Sequence, residues 1–362
     1  MGIMFFIYFC SMKIVVDDKI PFIREALAQI ADNVIYKPGA AISPDDVRDA
    51  DALIVRTRTH CDEALLRGSK VSFIATATIG FDHLDTDYLE RAHIAWANCP
   101  GCNANSVGQY IRSCLILLEK EKGFDLQATT VGLVGVGHVG RAVVEAIRPL
   151  GVRLLLNDPP QEEQLRREGK PCGEFTDLRT LQEECDIISF HTPLVTKGDY
   201  PTFHLADAGF FDRLRKKPII VNTSRGAVVD NAALLRALKE GRVGDAIVDT
   251  WENEPHIDLE LLHLIYIGTP HIAGYSADGK ANATRMALTA LCRHFHLPIT
   301  FQIHIPPLPQ DRIPPRHLDG KEMALALYNP HSDSQKLKAH PELFEELRGN
   351  YPLRREFLDT EP

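Results

Sequence analysis

The sequence predicts an α/β protein built from two doubly wound parallel-sheet domains, one inserted in the other, with a short tail behind them. Two observations carry this. Short apolar runs alternate with amphipathic segments along most of the chain, the pattern of parallel strands joined by crossover helices. In the middle, an apolar run flows into the glycine-rich turn GVGHVG (residues 135–140) and then into an amphipathic stretch.

Taken in order, strands are expected at 13–16, 52–56 and 72–75, with helical periodicity at 21–30 and 62–66 between them. An apolar segment at 94–97 closes this first unit. Pro100-Gly101 then marks a turn before a long helix over about 103–121, which ends at Gly123. A second series of strands follows at 129–134, 153–157, 187–190, 218–222, 245–249 and 266–268, separated by helical patterns that include 139–150 and 231–240. The second domain is inserted in the first if the chain returns to the first after His271; the expected bounds are then 12–102 with 271–297, interrupted by 103–270. From 298 to 362 the composition changes: Pro298, Pro306, Pro307, Pro309, Pro314 and Pro315 punctuate an irregular stretch, followed by helical patterns near 322–328 and 341–357.

Composition narrows the function classes. A length of 362 residues suits two or three domains, and 44% apolar residues provide a sizeable core. With 40 Lys plus Arg against 49 Asp plus Glu, and no polybasic run, a nucleic acid or an anionic membrane would be repelled on average. Eight cysteines without framework spacing favour a reducing cytoplasm. Residues 1–11, MGIMFFIYFCS, lack a basic start, a cleavage site and the length of a membrane span. They are read as an over-extended start, with Met12 as initiator, against the alternative of a signal anchor or lipid-surface patch.

The glycine turn is the strongest motif. Gly135, Gly137 and Gly140 suit the tight turn, the close approach of backbone to a pyrophosphate, and the packing of helix on strand. The helix start then offers free N–H groups and a positive dipole end to phosphates. Asp158 ends the next strand, 18 residues after Gly140, where a carboxylate accepts ribose hydroxyls and repels a 2′-phosphate. The expectation is a Rossmann domain that binds NAD.

Three later strand ends carry polar groups: Arg225 in IIVNTSRGAVVD, Glu254 in IVDTWENEP and His271 in TPHIAGY. Oxidation of a 2-hydroxy acid needs a base for the hydroxyl proton, and histidine titrates in the right range. A carboxylate on its second ring nitrogen fixes the tautomer, the role expected of Glu254. A guanidinium grips the substrate carboxylate through two parallel hydrogen bonds, the role expected of Arg225.

Together with GLVGVGHVG, these segments resemble the D-isomer-specific 2-hydroxyacid dehydrogenases over roughly residues 12–297. The strings VDDKIPF, VRTRT, ATATIGFDHLD, PGCNANSV, NDPP, FHTPL, VVDNAALL and HIAGYSADGKA resemble a branch that oxidises a phosphorylated four-carbon 2-hydroxy acid in pyridoxine synthesis. The resemblance implies an NAD domain inserted in a flavodoxin-like substrate domain, a small C-terminal α+β dimerisation domain and a cytoplasmic homodimer. It also implies substrate contacts from Thr57, Thr78 and Tyr275. Cofactor contacts would come from His138, Val139, Asp158, Thr192, Thr223, Ser224, Arg225, Asp249 and Gly274, besides the glycines. The chain departs from the pattern at Gln109, where Glu is usual, and at Thr223-Ser224, where Ala-Cys is usual. Its tail also stops some tens of residues early. Another D-2-hydroxy acid substrate, or an NAD-sensing interaction role, are the alternatives.

Other features read as structural. Cys99 and Cys102 have C-x-x-C spacing but no second pair, so neither a redox centre nor a metal site is expected. His294 and His296 suit solvent faces, and His83 a helix start or an interface. Glu252 is the rival to Glu254. If the strand at 52–56 continues, Arg56 and Arg58 point away from Thr57; a loop there would free Arg58 as a phosphate ligand.

Overall fold

The computed structural model describes residues 12–308, 313–315 and 317–356; residues 1–11, Pro309 and Phe357, on which sequence expectations fell, lie outside them. The chain divides into two compact units. One holds the residues up to Asn103 with Ala277–Pro307, and the other holds Ala104–Ser276 with the residues from Leu308 onward.

The first unit is built on β1 (Lys13–Asp17), β2 (Asn33–Lys37), β3 (Ala52–Val55), β4 (Phe73–Thr76) and β5 (Ala95–Ala97). All pairs are parallel, in the order β2-β1-β3-β4-β5, the flavodoxin-like winding. Alternate residues of β1 face opposite sides. Ile14 and Val16 join a core with Ala283, Ala287, Leu288 and Leu291 of the helix Ala277–His294, while Val15 packs with Leu53, Leu65 and Leu89. Both faces are covered, so these strands read as unbroken apolar runs.

The second unit contains β6 (Thr130–Val134), β7 (Arg153–Asn157), β8 (Ile187–Phe190), β9 (Ile219–Asn222), β10 (Asp245–Val248) and β11 (Ile267–Gly268). Their order is β11-β10-β9-β8-β6-β7, all parallel. A single bridge from Phe175 to Leu156 stands outside β7, where the doubly wound Rossmann order has one more edge strand. The winding reverses between β6 and β8, so a crevice opens at the carboxyl ends of these strands. Helix Ala104–Lys122 covers one face with Val107, Ile111 and Leu115, and helix Asn231–Lys239 covers the other with Ala233, Leu234 and Ala237.

Several sequence expectations need correction. β2 was not anticipated: it is an edge strand whose residues are exposed or half-buried, so it lacks an apolar run. β3 ends at Val55 and Thr57 lies in a turn, so strand alternation does not govern Arg56 and Arg58. Asp249 and Thr129 lie just outside the strands expected to contain them. Among the described residues the tail is helical rather than α+β, with helices Gly320–Leu327, Pro330–Ala339 and Phe344–Gly349 and one isolated bridge, Arg354 to Ser276. Leu337 and Phe344 anchor it in the core of the second unit, and Ser334 Oγ accepts the Gly268 N–H of edge strand β11 at 3.0 Å. No described helix is long and apolar enough to cross a membrane.

Candidate active site

Within the second unit, every candidate residue of the sequence reading follows the carboxyl end of a strand. After β6 comes the glycine turn. Gly135 has φ +90°, and a Cβ there would meet the His191 carbonyl oxygen at 2.8 Å. A Cβ on Gly140 would sit 2.1 Å from the Gly135 carbonyl oxygen, so only glycine lets the helix close onto the turn. At Gly137 the same position meets open space, the room a phosphate needs. Helix His138–Ile147 starts there without a side-chain cap. His138 is exposed and Val139 half-buried beside it.

Asp158, after β7, is tied to this turn. One carboxylate oxygen accepts the Val136 N–H at 2.8 Å and the other caps the following helix through the Gln161 N–H at 3.0 Å. After β8, Thr192 Oγ1 is buried without a partner among the described residues. An orphaned hydroxyl beside an uncapped helix start and an open glycine fits a dinucleotide that brings its own polar groups.

The end of β9 is organised by Asn222, which sequence reasoning did not single out. Its Oδ1 accepts from the Ser224 N–H (3.1 Å) and hydroxyl (2.9 Å), and its Nδ2 donates to the Arg225 carbonyl at 3.0 Å. Thr223 Oγ1 lies 3.3 Å from His191 Nδ1, and burial pushes the His191 ring down to about 3, so it stays neutral. Arg225 is half-buried, with Nη1 donating to the Ser224 carbonyl at 2.9 Å.

The segments after β10 and β11 bring Glu254 and His271 together. His271 Nδ1 lies 2.9 and 3.1 Å from the two Glu254 oxygens. Glu254 Oε1 also accepts the Trp251 N–H at 2.9 Å. Burial raises the Glu254 carboxyl, but the hydrogen bond and charge of His271, the Trp251 N–H and the Arg348 charge outweigh it, leaving it below its usual range. Glu252, the rival, is engaged elsewhere: it accepts from His204 Nε2 at 2.7 Å and from the Asn231 N–H at 2.8 Å. His271 Nε2 has no partner among the described residues, which leaves it available to a substrate hydroxyl.

The backbone around His271 is held from two sides. His271 itself sits in the left-handed region, φ +57°, with its N–H donating to the Asp249 carbonyl at 2.8 Å. The buried Asp249 carboxylate accepts the N–H groups of Ile272 (2.8 Å) and Ala273 (3.0 Å) and the Thr269 hydroxyl (2.6 Å), which Tyr110 reaches in turn at 2.8 Å. Burial raises the Asp249 carboxyl, against the charge of His271 and these donors. From the opposite side, buried Arg354 donates to the carbonyls of Ile272 (3.2 Å) and Ala273 (2.7 Å) and to Gln109 Oε1 (2.9 Å). The amide at 109 thus accepts from Arg354 while its Nε2 donates to the Arg355 carbonyl at 2.9 Å, a double role a carboxylate could not play. Gly274 and Tyr275 follow, both half-buried.

Thr57 and Thr78 belong to the first unit. Thr57 is exposed in the turn after β3, and Thr78 follows β4 with its hydroxyl donating to the Gly80 carbonyl at 2.8 Å. Thr76 links Thr78 to His83: its hydroxyl is 2.7 Å from Thr78 Oγ1 and 2.9 Å from His83 Nε2. His83 is buried, which lowers its ring's affinity for a proton. Arg56 Nη1 donates to the Lys19 carbonyl at 2.9 Å. Cys99 is buried and its thiol is pushed up to about 12 by burial, the inert state of a core cysteine.

The description "D-isomer specific 2-hydroxyacid dehydrogenase, NAD binding domain" matches residues 109–273. An erythronate-4-phosphate dehydrogenase of Bacteroides fragilis is 56% identical over 345 residues, covering 95% of this chain and 97% of that one. The chain belongs to the D-isomer-specific 2-hydroxyacid dehydrogenase family. It is an NAD-dependent oxidoreductase. A second erythronate-4-phosphate dehydrogenase, from Porphyromonas gingivalis, is 43% identical to this dehydrogenase and covers 95% of it and 94% of itself. Among solved structures, NAD-bound 3-phosphoglycerate dehydrogenase of Entamoeba histolytica matches with a TM-score of 0.65 and 26% identity, over 82% of this chain and 99% of that one.

Proposed function

We propose that this dehydrogenase oxidises 4-phospho-D-erythronate at C2, giving (R)-3-hydroxy-2-oxo-4-phosphobutanoate, in pyridoxine synthesis. The observation that carries the reading is the hydrogen-bonded His271–Glu254 pair, set at the ends of β11 and β10, with Arg225 at the end of β9 between them and the glycine turn. The name shared by its relatives supports the choice of substrate.

Arg225 forks onto the substrate carboxylate and draws electron density from C2 as the carbonyl forms. His271 Nε2 removes the C2 hydroxyl proton. Glu254 holds the ring through Nδ1–H and stabilises the imidazolium that results. The chemistry supplied by bound NAD is acceptance of the C2 hydrogen with its electron pair. Gly135, Gly137, Gly140, His138 and Val139 would hold its pyrophosphate, and Asp158 its adenosine ribose. Thr192, Thr223, Ser224, Asp249 and Gly274 would line the nicotinamide side. Thr57, Thr78 and Tyr275 would contact substrate. On this reading the unit of residues up to Asn103 with Ala277–Pro307 acts as the substrate domain and Ala104–Ser276 as the NAD domain, so that the expected boundary at 271 moves to 277. Residues 298–362 pair two copies into a cytoplasmic homodimer.

The test is the initial rate of NADH formation with 4-phospho-D-erythronate and with 3-phospho-D-glycerate, compared as kcat/KM. A preference of about tenfold or more for the erythronate, about 1.4 kcal/mol of transition-state discrimination, is expected. A preference for the glycerate would replace the substrate assignment. Turnover of neither, with NAD bound, would favour a sensing role.

A further inference from the structure

One cation near the acid–base pair has no part in the chemistry above. Arg348 lies on the short tail helix Phe344–Gly349, 77 residues beyond His271 in sequence. Its Nη1 stands 3.6 Å from Glu254 Oε2, the same oxygen that lies 2.9 Å from His271 Nδ1. Burial works against the charge on the Arg348 guanidinium, but Tyr275, a proposed substrate contact, and Glu254 beside it raise its hold on the proton. Both side chains of the ion pair are largely withdrawn from water, 28% exposed for Arg348 and 17% for Glu254. The helix that carries it is fixed: Phe344 is buried in the core with Leu337, and Leu347 packs against the same cluster. Tyr275 is braced in turn by the Tyr351 ring, 6.2 Å away and tilted at 70°.

This geometry answers an electrostatic need of the pair. When His271 is neutral and ready to take a proton, Glu254 is a mostly buried carboxylate facing an uncharged ring, and burial pushes it toward protonation. A protonated Glu254 could not accept from Nδ1–H with the same strength, and the ring would lose its anchor. A fixed guanidinium beside that shared oxygen keeps the carboxylate ionised in both protonation states of His271, and being held by its own helix it needs no reorganisation during turnover.

We propose that Arg348 is a positioning residue of the reaction: through Glu254 it keeps His271 oriented as base. The proposal rests on the hydroxy-acid oxidation described above, and it makes the tail part of the active centre of its own subunit.

The experiment is a double-mutant cycle read on the full chain with 4-phospho-D-erythronate and NAD. Arg348→Gln is made in the wild-type and the Glu254→Gln backgrounds, and Arg348→Lys in the wild type. NAD affinity is followed by fluorescence and folding by thermal melting. Arg348→Gln is expected to lower kcat by about ten- to a hundredfold, the cost of a misplaced catalytic group, with NAD affinity within about twofold of wild type. In the Glu254→Gln background the same change should cost less than about threefold, because the residue through which it acts is already disabled. Arg348→Lys, which keeps the charge, should recover most of the lost kcat. An unchanged kcat, equal losses in the two backgrounds, or a lysine variant that is folded yet as slow as the glutamine variant would each overturn the proposal. If Arg348→Gln melts early, the lysine variant alone decides by the same criterion. Absence of wild-type turnover would instead sink the substrate reading, and this inference with it.

Discussion

Arg354 Nη2 stands 2.7 Å from the carbonyl oxygen of Ala273, two residues beyond His271. The guanidinium is buried, stacks on Tyr328 with its carbon 3.8 Å from the ring centroid, and also reaches Ile272 and Gln109. Asp249 takes the N–H groups of the same two residues, Ile272 and Ala273. The peptide segment that presents His271 is therefore gripped by an anion on its donors and a cation on its acceptors.

Removing the cation should loosen that grip and strand buried carbonyls. Arg354→Ala is expected to lower stability by about 3 kcal/mol or more, since charged hydrogen bonds of this kind contribute about 1.5–3 kcal/mol each. Urea unfolding checks it. A loss below about 1 kcal/mol would mean that the tail does not hold the loop.

Gly140→Ala tests the dinucleotide turn. The added methyl would need the 2.1 Å gap to the Gly135 carbonyl to widen, moving the helix start away from the phosphates. NAD affinity should fall more than about tenfold, a cost of about 1.4 kcal/mol. Titration of NAD fluorescence quenching measures this, and unchanged affinity would place the pyrophosphate elsewhere.

The two glutamates on one loop should separate cleanly. Glu254 bonds the His271 ring, whereas Glu252 bonds His204 and Asn231. Glu254→Gln is expected to reduce kcat by about a hundredfold and Glu252→Gln by less than about threefold. Equal losses from the two changes would remove the orienting role from Glu254.

Acid should also find Glu254. Its carboxyl is held below the usual range in the folded chain, so its contribution to stability is complete above the unfolded value near 4.5 and is lost as pH falls through the folded value. Melting temperatures of wild type and Glu254→Gln should therefore converge as pH drops from about 6 to 3. A gap that stays constant over that range would contradict the assigned charge.

Much of this was legible in the chain because the relevant signals are local. Strands buried on both faces, such as Ile219–Asn222, show as apolar runs, and the glycine turn, Arg225, Glu254 and His271 sit at their ends. Edge strand β2 was hidden by its exposed face, and helix Ala277–His294 by a composition rich in small and polar residues that blurs any periodicity. Arg348 and Arg354 were out of reach for another reason. Nothing in their neighbourhood marks them, and only the packing of Phe344 and Leu337 into the second unit's core brings them to Glu254 and Ala273. Gln109 looked like a minor departure from a family pattern, yet its amide is matched to Arg354 on one side and to the Arg355 carbonyl on the other.

The central claim is that His271, oriented by Glu254, moves the hydroxyl proton. It is tested most directly by measuring kcat and the NAD dissociation constant of His271→Ala on one preparation. The account predicts a kcat lower by about 10²–10⁴-fold with NAD binding within about twofold of wild type. Turnover at the wild-type rate would contradict it, and the base would have to be sought elsewhere in the site.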